Sequence, residues 1–171
     1  ARLHGTTPYL GLEVPYVERF TLPFEPALHR CLADLEAGTG LNRPGQHFLR
    51  NLVLPQRQAL LEMLARLQEL GGMARQLNPP LVLVHTDMHG GNLIRTPQGD
   101  LVVVDWEGAM RAPAEADLFI FMSAGFDAML AEYLRAAAVP RLYPELFAYY
   151  FYRRNLEDIT YFLLSIFHEN T

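Results

Sequence analysis

Residues 85–92 read HTDMHGGN: two histidines, an aspartate, an asparagine and two glycines within eight positions. Three kinds of chemistry fit those residue types. Asp, Asn and Gly are turn formers, so the stretch suits a polar turn after a strand. His85, Asp87 and His89 alternate, so on a strand they would share one face and suit a zinc or di-metal hydrolase. That reading needs more ligands downstream; Asp105 is available, no second histidine cluster exists, and Asn92 and the glycine pair go unexplained. The third reading takes H-x-D-x-x-x-x-N together with the later VVVDWE. Phosphoryl transfer is mostly positioning and charge neutralisation, so it needs few groups. One carboxylate must orient and deprotonate an acceptor hydroxyl, a role that Asp87 fits. A second carboxylate and an amide oxygen must hold Mg²⁺ against the phosphates, roles that Asp105 and Asn92 fit.

These side chains need elements to position them. LVLV reads as a short buried strand leading into the loop, and Gly90 and Gly91 permit a tight backbone. NLIRT, the turn PQGD and LVVVDW read as a hairpin that returns Asp105 to the same end. Upstream, ARLHG reads as a last helical turn closed by Gly5, and TTPYLGLEVPYVERFTLP as loop. FEPALHRCLADLEAG sets Leu28, Leu32 and Leu35 at helical spacing and stops at Gly38. GTGLNRPGQ reads as loop; Pro55 then opens a helix striped by Leu60, Leu64, Leu67 and Leu70, which NPP ends. Downstream, AEADLFIFMSAGFDAMLAEYLRAAA reads as helix interrupted near Gly125, and Pro144 opens a long last helix through YYFYRRNLEDITYFLLSIF. Helices, one small β-insert, then helices make an α+β chain, mostly α, unlike a doubly wound sheet.

Composition narrows the class. The 171 residues suit one domain, and 50% hydrophobic content supplies a core. A net charge of -5 without a basic face argues against nucleic acid. Cys31 is the lone cysteine, which excludes an intrachain disulfide and predicts a reducing, cytoplasmic setting. Runs such as LFIFM and LFAYYFY are far too short for a bilayer, so no membrane partner is expected. All 14 basic residues are arginine, which excludes a lysine Schiff base or a phosphate-cradling lysine within the chain. Trp106 reads as a packing residue, and Tyr149, Tyr150 and Tyr152 as core and rim. His4, His29, His47 and His168 have no partners at motif spacing and read as ordinary.

HTDMHGGNLI, LVVVDWEGA and APAEADL, in that order, resemble the aminoglycoside phosphotransferase family, a small-molecule branch of the protein-kinase-like fold. Choline kinases and homoserine-kinase-like enzymes share these elements. ARLHG resembles the end of the helix that precedes the family's C-terminal lobe, so the similarity spans nearly the whole chain. The resemblance implies Asp87 as catalytic base, with Asn92 and Asp105 as Mg²⁺ ligands beside ATP or GTP. It implies His85 as a loop anchor and Asp117 as a helix-start carboxylate that hydrogen-bonds the loop backbone. His89 sits where protein kinases often carry a lysine near the transferred phosphate; a protonated ring there or a hydrogen bond fixing the loop are both open. Glu107 replaces the last residue of the kinase Asp-Phe-Gly triplet and implies support of the metal.

The family's other half does not show in this sequence. There is no lysine, and Gly38 and Gly40 begin a G-x-G-x-x-G that Arg43 breaks. The expectation is that residues 1–171 form the C-terminal lobe of a longer ATP- and Mg²⁺-dependent kinase of a small-molecule hydroxyl, without the N-terminal nucleotide-binding lobe. Alone, such a lobe is expected to be inactive, and the bared apolar face suits self-association. A non-catalytic kinase-like binding module is the alternative. Glu18, Glu25, Asp34 and Glu36, read as part of the helical region before the loop, suit a cationic acceptor, and a solvated face explains them equally.

Overall fold

The computed structural model describes residues 1–9, 11, 13–136 and 141–169, without the side chains of 168 and 169. The expected loop residues Leu10 and Leu12, the helix end at Ala137 and Ala138, and the reading of His168 therefore lie outside the described part. Backbone contacts divide the chain into two compact units, Ala1–Phe20 with Gly72–Phe151, and Thr21–Gly71 with Tyr152–Thr171.

Among the described residues, the strands all fall in the first unit. β1 (Val82–Val84) pairs antiparallel with β4 (Met110–Ala112), Leu83 standing opposite Arg111. β2 (Leu93–Arg95) and β3 (Leu101–Val103) form the hairpin that the turn PQGD predicts, with Gly99 at φ 91° closing it. The segment before the first long helix adds an edge to β4: Arg111 N–H donates to the Tyr16 carbonyl (2.9 Å) and Glu18 N–H to the Arg111 carbonyl (2.8 Å). β4 escapes sequence reading because Met-Arg-Ala has neither an apolar run nor a β-branched residue. Glu18 is thus in extended chain, not helix, and buried, its Oε1 accepting the Phe20 N–H.

α1 (Arg2–Thr6) does not end at Gly5. It runs on into a 3₁₀ turn, Thr7–Tyr9, because the hydroxyls of Thr6 and Thr7 donate to the Leu3 and His4 carbonyls and satisfy the helix end without a glycine cap. The Thr7 hydroxyl also accepts the Leu83 N–H at 2.7 Å, which ties α1 to β1. α5 (Glu115–Leu118), a 3₁₀ turn and α6 (Phe126–Ala136) follow β4, and the break falls before Gly125, at φ 89°. α7 (Pro144–Leu164) begins here; its Tyr149 is fully buried and meets Phe20 edge-to-face with centroids 5.4 Å apart.

The second unit is helical. α2 (Glu25–Ala37) buries Leu28, Leu32 and Leu35, and Gly38 caps it at φ 71°. α4 (Arg57–Leu77) buries the four-leucine stripe. Between them lies α3 (Pro44–Val53), part of which the sequence assigns to loop. Pro44 suits a first turn. The buried Gln46 then accepts the Asn42 and Arg43 N–H groups with one Oε1, at 2.8 and 3.0 Å, closing the helix start without a Ser, Thr or Asp cap. No helix among the described residues is long and apolar enough to cross a membrane.

Candidate active site

β1 ends at Val84, and His85 is the first residue of the loop, fully buried. Its ring joins two segments. Nε2 lies 2.8 Å from the Val104 carbonyl, and Nδ1 accepts the Asp87 N–H at 3.3 Å. A carbonyl only accepts, so Nε2 carries the proton and Nδ1 the lone pair. Both nitrogens are committed to backbone, which removes His85 as a metal ligand. Residues 85, 87 and 89 also lie beyond the strand rather than along it. The hydrolase reading falls on those two facts, and among the described residues no three His, Cys, Asp or Glu side chains gather for a metal.

Asn92 ends the 3₁₀ turn Gly90–Asn92 and is nearly buried. Its Nδ2 donates to the Asp87 carbonyl (3.0 Å) and reaches the Asp87 carboxylate (3.5 Å). Its own carbonyl accepts the Val104 N–H at 3.1 Å. Val104 is thereby held by His85 through its carbonyl and by Asn92 through its N–H, and the next residue is Asp105. These bonds bring the loop of Asp87 and Asn92 and the later Asp105 to one end of the hairpin.

Asp105 is exposed and left-handed, at φ 68°. The chain then turns through Trp106–Gly108; the Trp106 indole donates to the Val103 carbonyl (2.8 Å) and lies edge-on to His85, centroids 4.8 Å apart. Trp106 packs as expected, though it stays 39% exposed. Glu107, in the same turn, is exposed.

His89 Nδ1 accepts the Gly91 N–H at 3.0 Å, and Nε2 stands 3.4 Å from the Asp87 carboxylate. The first contact fixes the proton on Nε2, so a neutral ring donates toward Asp87. A doubly protonated ring would set Nδ1–H against the Gly91 N–H, so the geometry favours a loop-fixing role over a cationic one.

Thr86 also sits at φ 74°, an unfavourable region for a β-branched residue. Asp117, buried at the start of α5, holds it there. One carboxylate accepts the His85 N–H (2.9 Å) and the Thr86 N–H (2.7 Å). The Thr86 hydroxyl donates to the Gly108 carbonyl at 3.1 Å.

Behind Asp117 lies His4, which has the long-range partners its sequence position does not reveal. His4 Nε2 is 3.0 Å from the Asp117 carboxylate, and Nδ1 is 2.7 Å from the Tyr133 hydroxyl. More than a hundred residues separate His4 from either partner, so no local spacing could have found it. Burial, and then the Glu115 and Asp117 carboxylates, push the Tyr133 phenol up and keep it protonated. Glu115 is buried too; desolvation raises its carboxyl, against the Tyr143 N–H donated at 2.6 Å. Of the acidic residues expected to suit a cationic acceptor, Glu25 accepts from Gln68 and Glu36 pairs with Arg57.

Known proteins bear on this arrangement. The model of the phosphotransferase enzyme family matches residues 4–159. The spectinomycin phosphotransferase APH(9)-Ia in complex with ADP and spectinomycin superposes with a TM-score of 0.75 at 19% identity, over 99% of this chain and 54% of that one. Its AMP-bound complex gives 0.62 at 17% identity, over 83% and 48%. At such identities the likeness is one of fold, and the chain spans about half the length of these solved structures. A comparison with curated proteins gives no match.

Proposed function

Because this chain belongs to the phosphotransferase enzyme family, we propose that it carries the acceptor-activating and cation-binding part of a small-molecule kinase. Such an enzyme moves the γ-phosphate of ATP or GTP to a hydroxyl. The observation that carries the reading is the double hold on Val104 by His85 and Asn92, which sets the Asp105 backbone beside the Asp87 loop.

In this reading Asp87 accepts the proton of the acceptor hydroxyl as the oxygen attacks phosphorus. The His89 Nε2–H, near one carboxylate oxygen, helps aim the group. Asn92 turns its Nδ2 to the Asp87 carbonyl, which leaves Oδ1 as the atom for a cation. Asp105 adds an exposed carboxylate, and two hard oxygens are what Mg²⁺ takes from protein when phosphates and water complete its shell. When bound there, Mg²⁺ would neutralise phosphate charge. Glu107, two residues on, is proposed to steady that site from outside.

The chain has no lysine, and it spans about half of the solved relatives. Both facts support a second set of residues, outside these 171, that covers the nucleotide. A relative of the same fold was solved with ADP and spectinomycin, so an aminocyclitol or aminoglycoside hydroxyl is the acceptor class we put first.

The test is an acceptor panel with the full-length protein, read by ADP release, for wild type and Asp87→Asn. Expected is turnover with at least one aminocyclitol or aminoglycoside that the substitution removes. Undiminished turnover by Asp87→Asn would exclude Asp87 as the base.

A further inference from the structure

The catalytic loop is held from behind by three side chains in series. Tyr133 on α6 meets His4 on α1, His4 meets Asp117 on α5, and Asp117 takes the N–H groups of His85 and Thr86. His4, Asp117 and Tyr133 are all buried, and the Tyr133 and His4 rings also pack edge-to-face, centroids 5.6 Å apart.

The direction of each hydrogen bond follows from its neighbours. The Asp117 carboxylate already accepts two backbone N–H groups and can only accept from His4 as well, so His4 Nε2 carries the proton. In the neutral ring Nδ1 then has a lone pair, and the Tyr133 hydroxyl is the donor to it. Remove that hydroxyl and Nδ1 becomes a buried acceptor without a partner. The ring is then free to take the other tautomer, which would turn an Nε2 lone pair on the Asp117 carboxylate. That repulsion acts on the carboxylate that takes the N–H of Thr86, which sits at positive φ directly before the base.

We propose that Tyr133 is a positioning residue for phosphoryl transfer: by fixing the His4 tautomer, it fixes Asp117 and so the backbone that carries Asp87. The inference rests on the kinase reading above. α6 is thereby wired to a loop with which it shares no strand or turn. A structural role alone would lower stability; a positioning role also lowers kcat while leaving the nucleotide KM unchanged, because no group of the series lines the proposed cation site.

The test uses the full-length protein. Tyr133→Phe keeps the ring and removes only the hydroxyl; kcat should fall roughly tenfold with little change in KM for nucleotide. His4→Leu removes the donor to Asp117 and should lower kcat at least as far, and the double variant should be no slower than His4→Leu alone. A Tyr133→Phe enzyme within about twofold of wild type, or fully additive losses, would overturn the proposal. Nitrogen-15 shifts of the His4 ring in the unaltered protein give a second readout that needs no variant and no turnover. A protonated Nε2 with a hydrogen-bonded, unprotonated Nδ1 is expected; a protonated Nδ1 would overturn it. If Asp87→Asn stays active while the His4 tautomer is as stated, the kinase roles fail and the hydrogen-bond series stands.

Discussion

A Cβ placed on Gly108 would stand 2.7 Å from the Thr86 hydroxyl oxygen. Thr86 cannot retreat, because its N–H is held by Asp117 and its own φ is positive. Gly108→Ala should therefore displace the loop rather than be absorbed by it. Overpacking of this kind costs about 1–3 kcal/mol. Chemical denaturation should show the loss, and kcat should fall with it.

Gly91 makes a parallel case with a different outcome. A Cβ there would lie 2.8 Å from Cε1 of the His89 ring, but the ring is half exposed and able to swing away. Gly91→Ala should thus leave stability nearly unchanged while freeing His89 from Asp87. Steady-state kinetics should show a lower kcat at an unshifted melting temperature.

His85→Phe keeps an aromatic ring against Trp106 and deletes both nitrogens that tie Asp87 to Val104. Misplacing reacting groups by an ångström costs about a hundredfold in rate. A loss of that order in kcat is expected, with the Val104 carbonyl left unsatisfied. Rates near wild type would show that the loop keeps its place without the ring.

Asn92→Leu removes the proposed cation oxygen and the donor to the Asp87 carbonyl together. The Mg²⁺ concentration for half-maximal rate should rise, and chelation should abolish turnover in both proteins. Titrating Mg²⁺ at fixed nucleotide measures the shift. An unchanged half-maximal concentration would remove Asn92 from the cation site.

Glu115 gives a pH prediction. Burial raises its carboxyl in the folded chain, so the folded state binds the proton more tightly than the unfolded one. The ionised group therefore weighs against folding above the raised value. That penalty fades as pH falls through the folded value toward that of an ordinary glutamate. Glu115→Gln keeps an oxygen for the Tyr143 N–H and cannot ionise. It should be at least as stable as wild type at neutral pH, with the difference closing in acid; urea titrations at several pH values measure it.

Local patterns carried the long elements. Leucine spacing and Gly38 marked α2, the stripe from Leu60 marked α4, and PQGD marked the hairpin. What stayed hidden depends on partners far along the chain. β4 forms because β1 is there to receive it, and α3 is capped by a glutamine whose value appears only once it folds back on its own helix start. The site divides in the same way. Asp87, Asn92 and Asp105 stand out by type and spacing. His4, Thr86 and Gly108 have no signal of that kind, because each matters through contacts made across the fold.

The two histidines of HTDMHGGN use their rings alike. Each Nδ1 accepts the backbone N–H two residues ahead, from Asp87 and from Gly91, while Nε2 of His85 reaches out to Val104 and Nε2 of His89 turns back to the Asp87 carboxylate. The octapeptide is thus splinted twice from within, and its hydrogen bonds to the rest of the fold include those to Val104, Gly108 and Asp117. A graft of residues 85–92 into a related scaffold would need those three anchors moved with it.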